Sequence, residues 1–280
     1  MRFVPLGVRG STPAPGPEFV RWGGHTSCVA VIADGQPRPR LVLDAGTGLR
    51  SLGDLLDGEP FVGSIVLTHL HWDHVQGLPF SRAVDRPDAR VRLHVPVEDE
   101  RTDPQAVLAS GFSPPHFPIG PDGLLGDWRF RALVPGAVTE DGPRIRAARI
   151  PHKGGATFGV RVELDGAVLV YLPDHALGGS AARTLRESAA ELADGADVLL
   201  HDGQFTSAEG AVSVNYGHST LDEAMAFADA SAVGELVLTH HSPARTDDEL
   251  DAFAAATVRT PEGRPVTFAR QGVAVEVPAR

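Results

Sequence analysis

The chain has 280 residues, 42% of them apolar and 22% charged, enough to bury a substantial core. Its 25 basic and 36 acidic residues leave a net charge of −11, so no global attraction draws it to nucleic acid, and a small-molecule partner is expected rather than a polyanion. A single cysteine, Cys28, excludes an intramolecular disulfide and a cysteine-built zinc site; with no signal-type apolar N-terminus and no apolar run approaching about 18 residues, a cytoplasmic protein without a membrane span is expected.

Residues 3–8 read as a first strand, followed by a loop that Pro13, Pro15, Gly16 and Pro17 exclude from regular structure. Strands at 29–33 and 41–43 form a predicted hairpin, after which Asp44-Ala45-Gly46-Thr47-Gly48 opens a helix over 49–56. The small residues of that turn would let the backbone pass close to a functional site and to Asp73; a plain strand-to-helix turn is the alternative. An apolar strand at 64–67 then runs directly into Thr68-His69-Leu70-His71-Trp72-Asp73-His74, and residues 75–78 read as the first turn of a helix.

Three imidazoles and a carboxylate between His69 and His74 are costly to place together unless something binds them, because each ring needs a partner for both nitrogens. On extended backbone His69 and His71 project to one side and can grip one metal ion. Once the chain turns, Asp73 and His74 can reach a second ion about 3.5–4 Å away, the spacing of two-metal hydrolytic sites. A histidine-rich surface loop is the alternative.

A strand at 91–95 precedes a stretch, 96–127, of weak signal. Its centre, residues 111–118, carries three prolines that exclude a long helix or a central strand. It reads equally as an apolar wall or lid over the site and as a homodimer contact, with His116 a lid or surface residue. Strands at 128–134 and 144–150 follow, the second ending at His152. Strands at 158–163 and 167–171 flank the turn Asp165-Gly166 and lead to Asp174, with His175 beside it as a supporting or exposed group. A helix at 181–193 leads to a buried strand at 197–200 that ends in His201-Asp202. A helix at 221–230, capped by Ser219 or Thr220, precedes a strand at 235–239 ending in His240-His241. A helix at 247–255 and a strand at 272–277 complete the chain. No repeat or linker divides it, and residues 1–280 are expected to form one domain.

His69, His71, Asp73, His74, His152, Asp174 and His240 all lie just past predicted strands, where α/β proteins build ligand sites. The pair His240-His241 offers one ligand at most, since neighbours on an extended segment face opposite ways. Nitrogen and oxygen donors without cysteine suit two ions of Zn²⁺, the first expectation, or of Mn²⁺ or Fe²⁺.

The H-x-H-x-D-H pattern after a hydrophobic strand resembles the metallo-β-lactamase fold superfamily of metal-dependent hydrolases, and the likeness extends over nearly the whole chain. Val8-Arg9-Gly10-Ser11, Gly23-Gly24-His25-Thr26-Ser27-Cys28, Gln76-Gly77-Leu78-Pro79-Phe80 and Gly217-His218-Ser219-Thr220 resemble its ribonuclease Z and cyclic-nucleotide phosphodiesterase branch. The resemblance implies an α/β protein built as a four-layer αββα sandwich. It implies a first divalent ion on His69, His71 and His152, a second on Asp73, His74 and His240, and Asp174 between them, with a bridging hydroxide as nucleophile. It favours His240 over His241 and makes Asp73 and His218 the catalytic candidates, His218 as proton donor to the leaving group. A helix-capping segment with an incidental histidine is the alternative for His218. Asp202 would support the ligand histidines.

Ribonuclease Z enzymes grip tRNA with an arm between the third histidine and the bridging aspartate, whereas here His152 and Asp174 enclose only a hairpin. Nucleic acid is therefore disfavoured, and a small phosphodiester such as a cyclic nucleotide or a cyclic ribose phosphate is the expected substrate. Hydrolysis of a carboxylic ester, thioester or lactone is the alternative, and a noncatalytic metal-binding module the second.

Overall fold

Residues 1–136, 142–180 and 182–279 are described by a computed structural model of the chain. Its strands in chain order begin with β1 (Arg2–Gly7), β2 (Cys28–Ile32), β3 (Leu41–Leu43), β4 (Val62–Val66), β5 (Arg90–Pro96) and β6 (Asp127–Leu133). They continue with β7 (Arg144–Arg149), β8 (Phe158–Leu164), β9 (Ala167–Leu172), β10 (Val198–Asp202), β11 (Glu235–Thr239), β12 (Val266–Phe268) and β13 (Val275–Glu276). The helices are α1 (Leu52–Leu55), α2 (Trp72–Val75), α3 (Pro104–Ala109), α4 (Arg183–Ala193), α5 (Gly210–Tyr216), α6 (Leu221–Ala230) and α7 (Asp247–Ala256).

Side-chain alternation sets the layers. In β2, Val29 and Val31 point to one face and Cys28, Ala30 and Ile32 to the other, yet all five are buried, as expected of a strand covered on both sides. The first sheet has the order β13-β1-β2-β3-β4-β5-β6, the second β12-β11-β10-β9-β8-β7. Between the sheets Phe3, Val29, Val31 and Leu43 meet Phe158, Val160, Leu169 and Leu200. Behind the first sheet Ala30, Val42 and Ile65 pack on Leu52 of α1 and Leu108 of α3. Behind the second, Val170, Leu199 and Leu236 pack on Leu192 of α4, Ala224 and Ala228 of α6 and Leu250 of α7. Three apolar interfaces between four layers make the αββα sandwich.

Within each sheet the strands β3 to β6 and β9 to β12 run parallel, so their C-terminal ends gather at one edge. That edge carries Asp44 after β3, His69 after β4, Asp174 after β9, Asp202 at the end of β10 and His240 after β11. No helix among the described residues is long and apolar enough to cross a membrane.

The structure departs from the sequence expectations in several places. The helix predicted to follow the histidine motif is a single turn, α2, and then a 3₁₀ turn at Leu78–Phe80. Pro79 has no N–H for the next helical bond, and Gly77 sits so close to the carbonyl of Gly46 that a Cβ would lie 2.0 Å from it. The helix predicted at 49–56 divides into a 3₁₀ segment, Thr47–Ser51, and α1. The final strand shrinks from 272–277 to two residues that pair with Arg2 and Phe3, since Pro5 offers β13 no N–H further along. The helix predicted from Ala181 begins at Arg183, and Ala181 itself lies outside the described residues. Strand β12 and helices α3 and α5 escaped the sequence reading. α5 was hidden by Val212 and Val214, which favour strands; a Thr206–Glu209 capping box before it and Gly217, at φ 81, after it hold it helical.

Arg9 ties the loops of the site edge together. Its side chain is fully buried and donates to the carbonyls of Gly23 at 2.7 Å, Ser242 at 3.1 Å and Arg245 at 2.6 Å, with Asp247 at 3.8 Å. Arg9→Met takes the donor from the Gly23 and Arg245 carbonyls and the positive charge from beside buried Asp247, and is expected to lower unfolding free energy by about 3 kcal/mol or more. Urea denaturation measures this; an unchanged midpoint would contradict the role.

Candidate metal centre

The turn from β4 into α2 works as the motif's spacing requires. His71, in extended conformation (φ −63, ψ 148), is the N-cap of α2, and the helical turn swings Asp73 and His74 inward while Trp72 stays exposed. Gly46 makes room for it: a Cβ there would lie 2.1 Å from the Asp73 carbonyl. The glycine-bearing turn therefore does bring backbone against the motif.

All seven residues read from the sequence converge. Donor atoms of His69, His71, His152 and Asp174 lie within 4.8 Å of one another, as do those of Asp73, His74 and His240. Asp174 stands between the two sets. Its Oδ2 is 3.4 Å from Nε2 of His69 and 3.4 Å from Nε2 of His152, while its Oδ1 is 3.2 Å from Nε2 of His74 and 3.0 Å from Nε2 of His240. Each carboxylate oxygen thus serves one group of histidines.

The outer nitrogens decide what the inner ones can do. Nδ1 of His74 donates to Asp44 at 2.8 Å, Nδ1 of His152 to the Gly217 carbonyl at 2.7 Å, and Nδ1 of His240 to Oε1 of Gln204 at 3.1 Å. With Nδ1–H engaged there, Nε2 is the nitrogen that each ring turns inward. The Nε2 atoms of His74 and His240 stand 3.3 Å apart and face the Asp73 and Asp174 carboxylates. Bare nitrogens and carboxylates facing one another repel unless a cation, a proton or a metal ion, lies between them. His69 Nε2 and Asp174 Oδ1 are buried and make no hydrogen bond, as atoms reserved for such a cation would be. The donor set fits two divalent ions.

Electrostatics agree. Burial, reinforced by neighbouring histidines, lowers His69 and holds His71 at about 4, and burial brings His152 to about 4, which keeps their lone pairs free near neutral pH. Burial alone would raise Asp73 and Asp174, but the histidines around them hold both carboxyls well below the usual range. His74 is buried, which opposes charge, yet Asp73, Asp174 and Asp44 raise it well above an ordinary imidazole. The pocket concentrates negative charge and calls for positive charge.

Other predicted groups divide cleanly. His240, at φ 57, faces the centre, whereas His241 points away, its Nε2 on the Ala269 carbonyl at 2.9 Å and its ring stacked on Phe268. His218 lies beside the centre, within 4.8 Å of Asp174 and His240 donors, so geometry admits it as a ligand as well as a proton donor. Its Nδ1 bonds Asp202 at 2.8 Å. Burial opposes its charge, but Asp202 outweighs burial and pushes the ring up to about 9. Asp202 therefore supports His218 rather than the ligand histidines, because β10 ends facing the loop at Gly217-His218. His175 is not exposed; it is buried, with Nδ1 on Nε2 of His201 at 2.8 Å. His116 is exposed and belongs with Phe80, Phe112 and Phe117 to a groove of about 310 Å³ beside Trp72. Sequence reasoning missed Asp44 and Gln204 as the partners of His74 and His240. The one signal for Asp44 was a lone acid at the end of the apolar strand 41–43; Gln204 gave none.

Comparisons with known proteins now bear on this geometry. The sequence model of the beta-lactamase superfamily domain matches residues 39–241, most of the chain and all seven residues of the centre. The chain belongs to the beta-lactamase superfamily. It is a metal-dependent hydrolase of the ribonuclease Z and phosphodiesterase-like branch. Ribonuclease Z of Shouchella clausii is 31% identical over 237 residues, covering 70% of this chain and 74% of that protein. Ribonuclease Z of an Exiguobacterium species is 55% identical over 56 residues, which span 20% of this chain and only 19% of that protein. Among solved structures, a diphosphatase of the PhnP family superposes with a TM-score of 0.69 at 19% identity, covering 99% of this chain and 98% of that one, a likeness of fold.

Because Asp174 serves both groups, Asp174→Ala is expected to lower the metal retained after dialysis from two ions per chain to one or fewer. Elemental analysis with circular dichroism as a folding control measures this. Two ions retained by a folded variant would contradict the bridging position.

Proposed function

We propose that residues 1–280 act as one dinuclear metal phosphodiesterase domain whose substrate is a small phosphodiester, such as a cyclic nucleotide or a cyclic ribose phosphate. The observation that carries this reading is His218, held as an imidazolium by Asp202 beside a site that already calls for two cations. A third positive centre suits an anionic substrate better than a neutral ester, lactone or thioester. Support for a small substrate comes from the chain between His152 and Asp174, which is β8, the turn at Asp165-Gly166 and β9, with no inserted arm.

Bound Zn²⁺ or Mn²⁺ ions would supply Lewis acidity, acidifying water and offsetting charge on the phosphoryl oxygens. The protein's own groups do the rest. His69, His71 and His152 would hold one ion, Asp73, His74 and His240 the other, and Asp174 both. The Asp73 carboxylate, kept ionised by His74 and His240, accepts the proton of the attacking water. His218 holds its proton at Nε2 for the leaving oxygen, with Nδ1 fixed on Asp202.

A second reading, cleavage of an RNA phosphodiester, is favoured by the name ribonuclease Z carried by the curated relatives, and it runs against the expectation that nucleic acid is disfavoured. Purified protein loaded with Zn²⁺ or Mn²⁺ is expected to hydrolyse 2′,3′- or 3′,5′-cyclic nucleotides or cyclic ribose phosphates, and bis(p-nitrophenyl) phosphate. Cleavage of a structured RNA with a 3′ extension, without turnover of small phosphodiesters, would transfer the assignment to the second reading. Turnover confined to lactones or thioesters would sink both.

His218→Ala is expected to slow hydrolysis of a diester with an alkoxide leaving group by roughly 10²–10⁴-fold. Bis(p-nitrophenyl) phosphate, whose leaving group needs no proton, should be affected far less. Equal losses on both would contradict a proton-donor role. Since the donor must be protonated, kcat falls as pH rises through its pKa. Asp202→Asn removes the charge that raises His218 and should move this alkaline limb to lower pH; a limb that stays in place would exclude His218 as the titrating group.

A further inference from the structure

The two groups of ligands are supported differently. In the first, His69 Nδ1 is bonded by Thr68 Oγ1 at 3.1 Å and His152 Nδ1 by the carbonyl of Gly217 at 2.7 Å. In the second, Asp73 and His240 share a strap built from two distant loops. The Ser11 N–H donates to Oδ2 of Asp73 at 2.7 Å, Ser11 Oγ accepts from Nε2 of Gln204 at 3.1 Å, and Oε1 of Gln204 accepts from Nδ1 of His240 at 3.1 Å.

The chemistry of an amide gives this strap direction. Its NH₂ is held by Ser11, so its oxygen is the end that meets His240, and an oxygen there can only accept. His240 then carries a proton at Nδ1, and Nε2, facing Asp73 and Asp174, is the nitrogen left for an ion. Packing closes the alternatives: Gln204 is 6% and His240 1% exposed, and a Cβ on Gly10 would lie 2.4 Å from Nδ1 of His240 and 2.9 Å from Oε1 of Gln204. Ser11 takes the left-handed conformation, φ 63, which a residue other than glycine adopts at a cost; there its N–H meets Asp73 and its hydroxyl meets Gln204.

We propose that Gln204, oriented by Ser11, is a positioning residue that sets the affinity of the second ion, the one on Asp73, His74 and His240, independently of the first. The inference rests on the two-ion reading of the centre. Its physical content is that the imidazole partner tunes the donor. His74 has a carboxylate partner in Asp44, while His240 has a neutral amide, so the basicity of His240, and with it the hold on the second ion, is open to adjustment at residue 204.

The test is calorimetric titration of chelator-stripped protein with Zn²⁺, which resolves the two binding events without reference to turnover. Gln204→Met, close in size and only a weak hydrogen-bond acceptor, should weaken the second event by about 10–100-fold and leave the first within error. Gln204→Glu, whose oxygens still accept from Nδ1 of His240, should restore the second event to the wild-type level or beyond. Ser11→Gly, which keeps the N–H and loses the hydroxyl, should weaken the second event alone. Equal weakening of both events, or a glutamate variant no better than methionine, would show mere structural support and overturn the proposal, as would a methionine variant identical to wild type. Wild-type protein that binds fewer than two ions would instead overturn the two-ion reading itself.

Discussion

The carboxylate of Asp174 is the constraint on which the site depends. Its two oxygens are each within 3.0–3.4 Å of two histidine nitrogens, and those four histidines come from three separate stretches of chain. His69 and His74 arrive on the turn after β4, His152 on the loop after β7 and His240 on the loop after β11. Two sheets must therefore pack in one register for the centre to exist. The apolar layer between them, with Phe3 and Leu43 against Phe158 and Leu200, is what sets that register. Packing and chemistry are coupled through a single side chain.

Around the inner nitrogens the protein places acceptors, and these determine what the imidazoles can bind. Asp44, Gln204 and the Gly217 carbonyl each take an N–H from a histidine and so turn a lone pair inward. Gly217 does this while ending α5 in a left-handed conformation, and the next residue, His218, is delivered to the mouth of the centre. One tight turn thus orients His152 on one side and His218 on the other. Asp202, at the end of β10, completes that arrangement by holding His218 from beneath.

Much of this was legible in the sequence because the histidine motif is local. His69 to His74 are near neighbours in the chain, and their geometry follows from a strand meeting a helical turn. His152, Asp174 and His240 were legible more indirectly, as polar residues ending apolar strands. Strand alternation allowed one ligand at most from His240 and His241, and the family resemblance chose His240. What stayed hidden depends on where distant loops meet. Gln204 and Ser11 lie 193 positions apart and make sense only once the edges of both sheets are brought together. Asp202 was assigned to the wrong histidines for the same reason. α5 was passed over, since Val212 and Val214 do not favour a helix and capping at both ends prevails, and the last strand is shorter than residues 272–277 suggested because Pro5 limits its pairing.

The central claim is that Asp174 separates two metal ions rather than capping one. A crystal of the metal-loaded protein, measured on either side of the zinc absorption edge, locates the ions without reference to any substrate. Two anomalous peaks about 3.5–4 Å apart, one beside His69, His71 and His152 and the other beside Asp73, His74 and His240, are the predicted result. A single peak shared by both groups, or none, would contradict it.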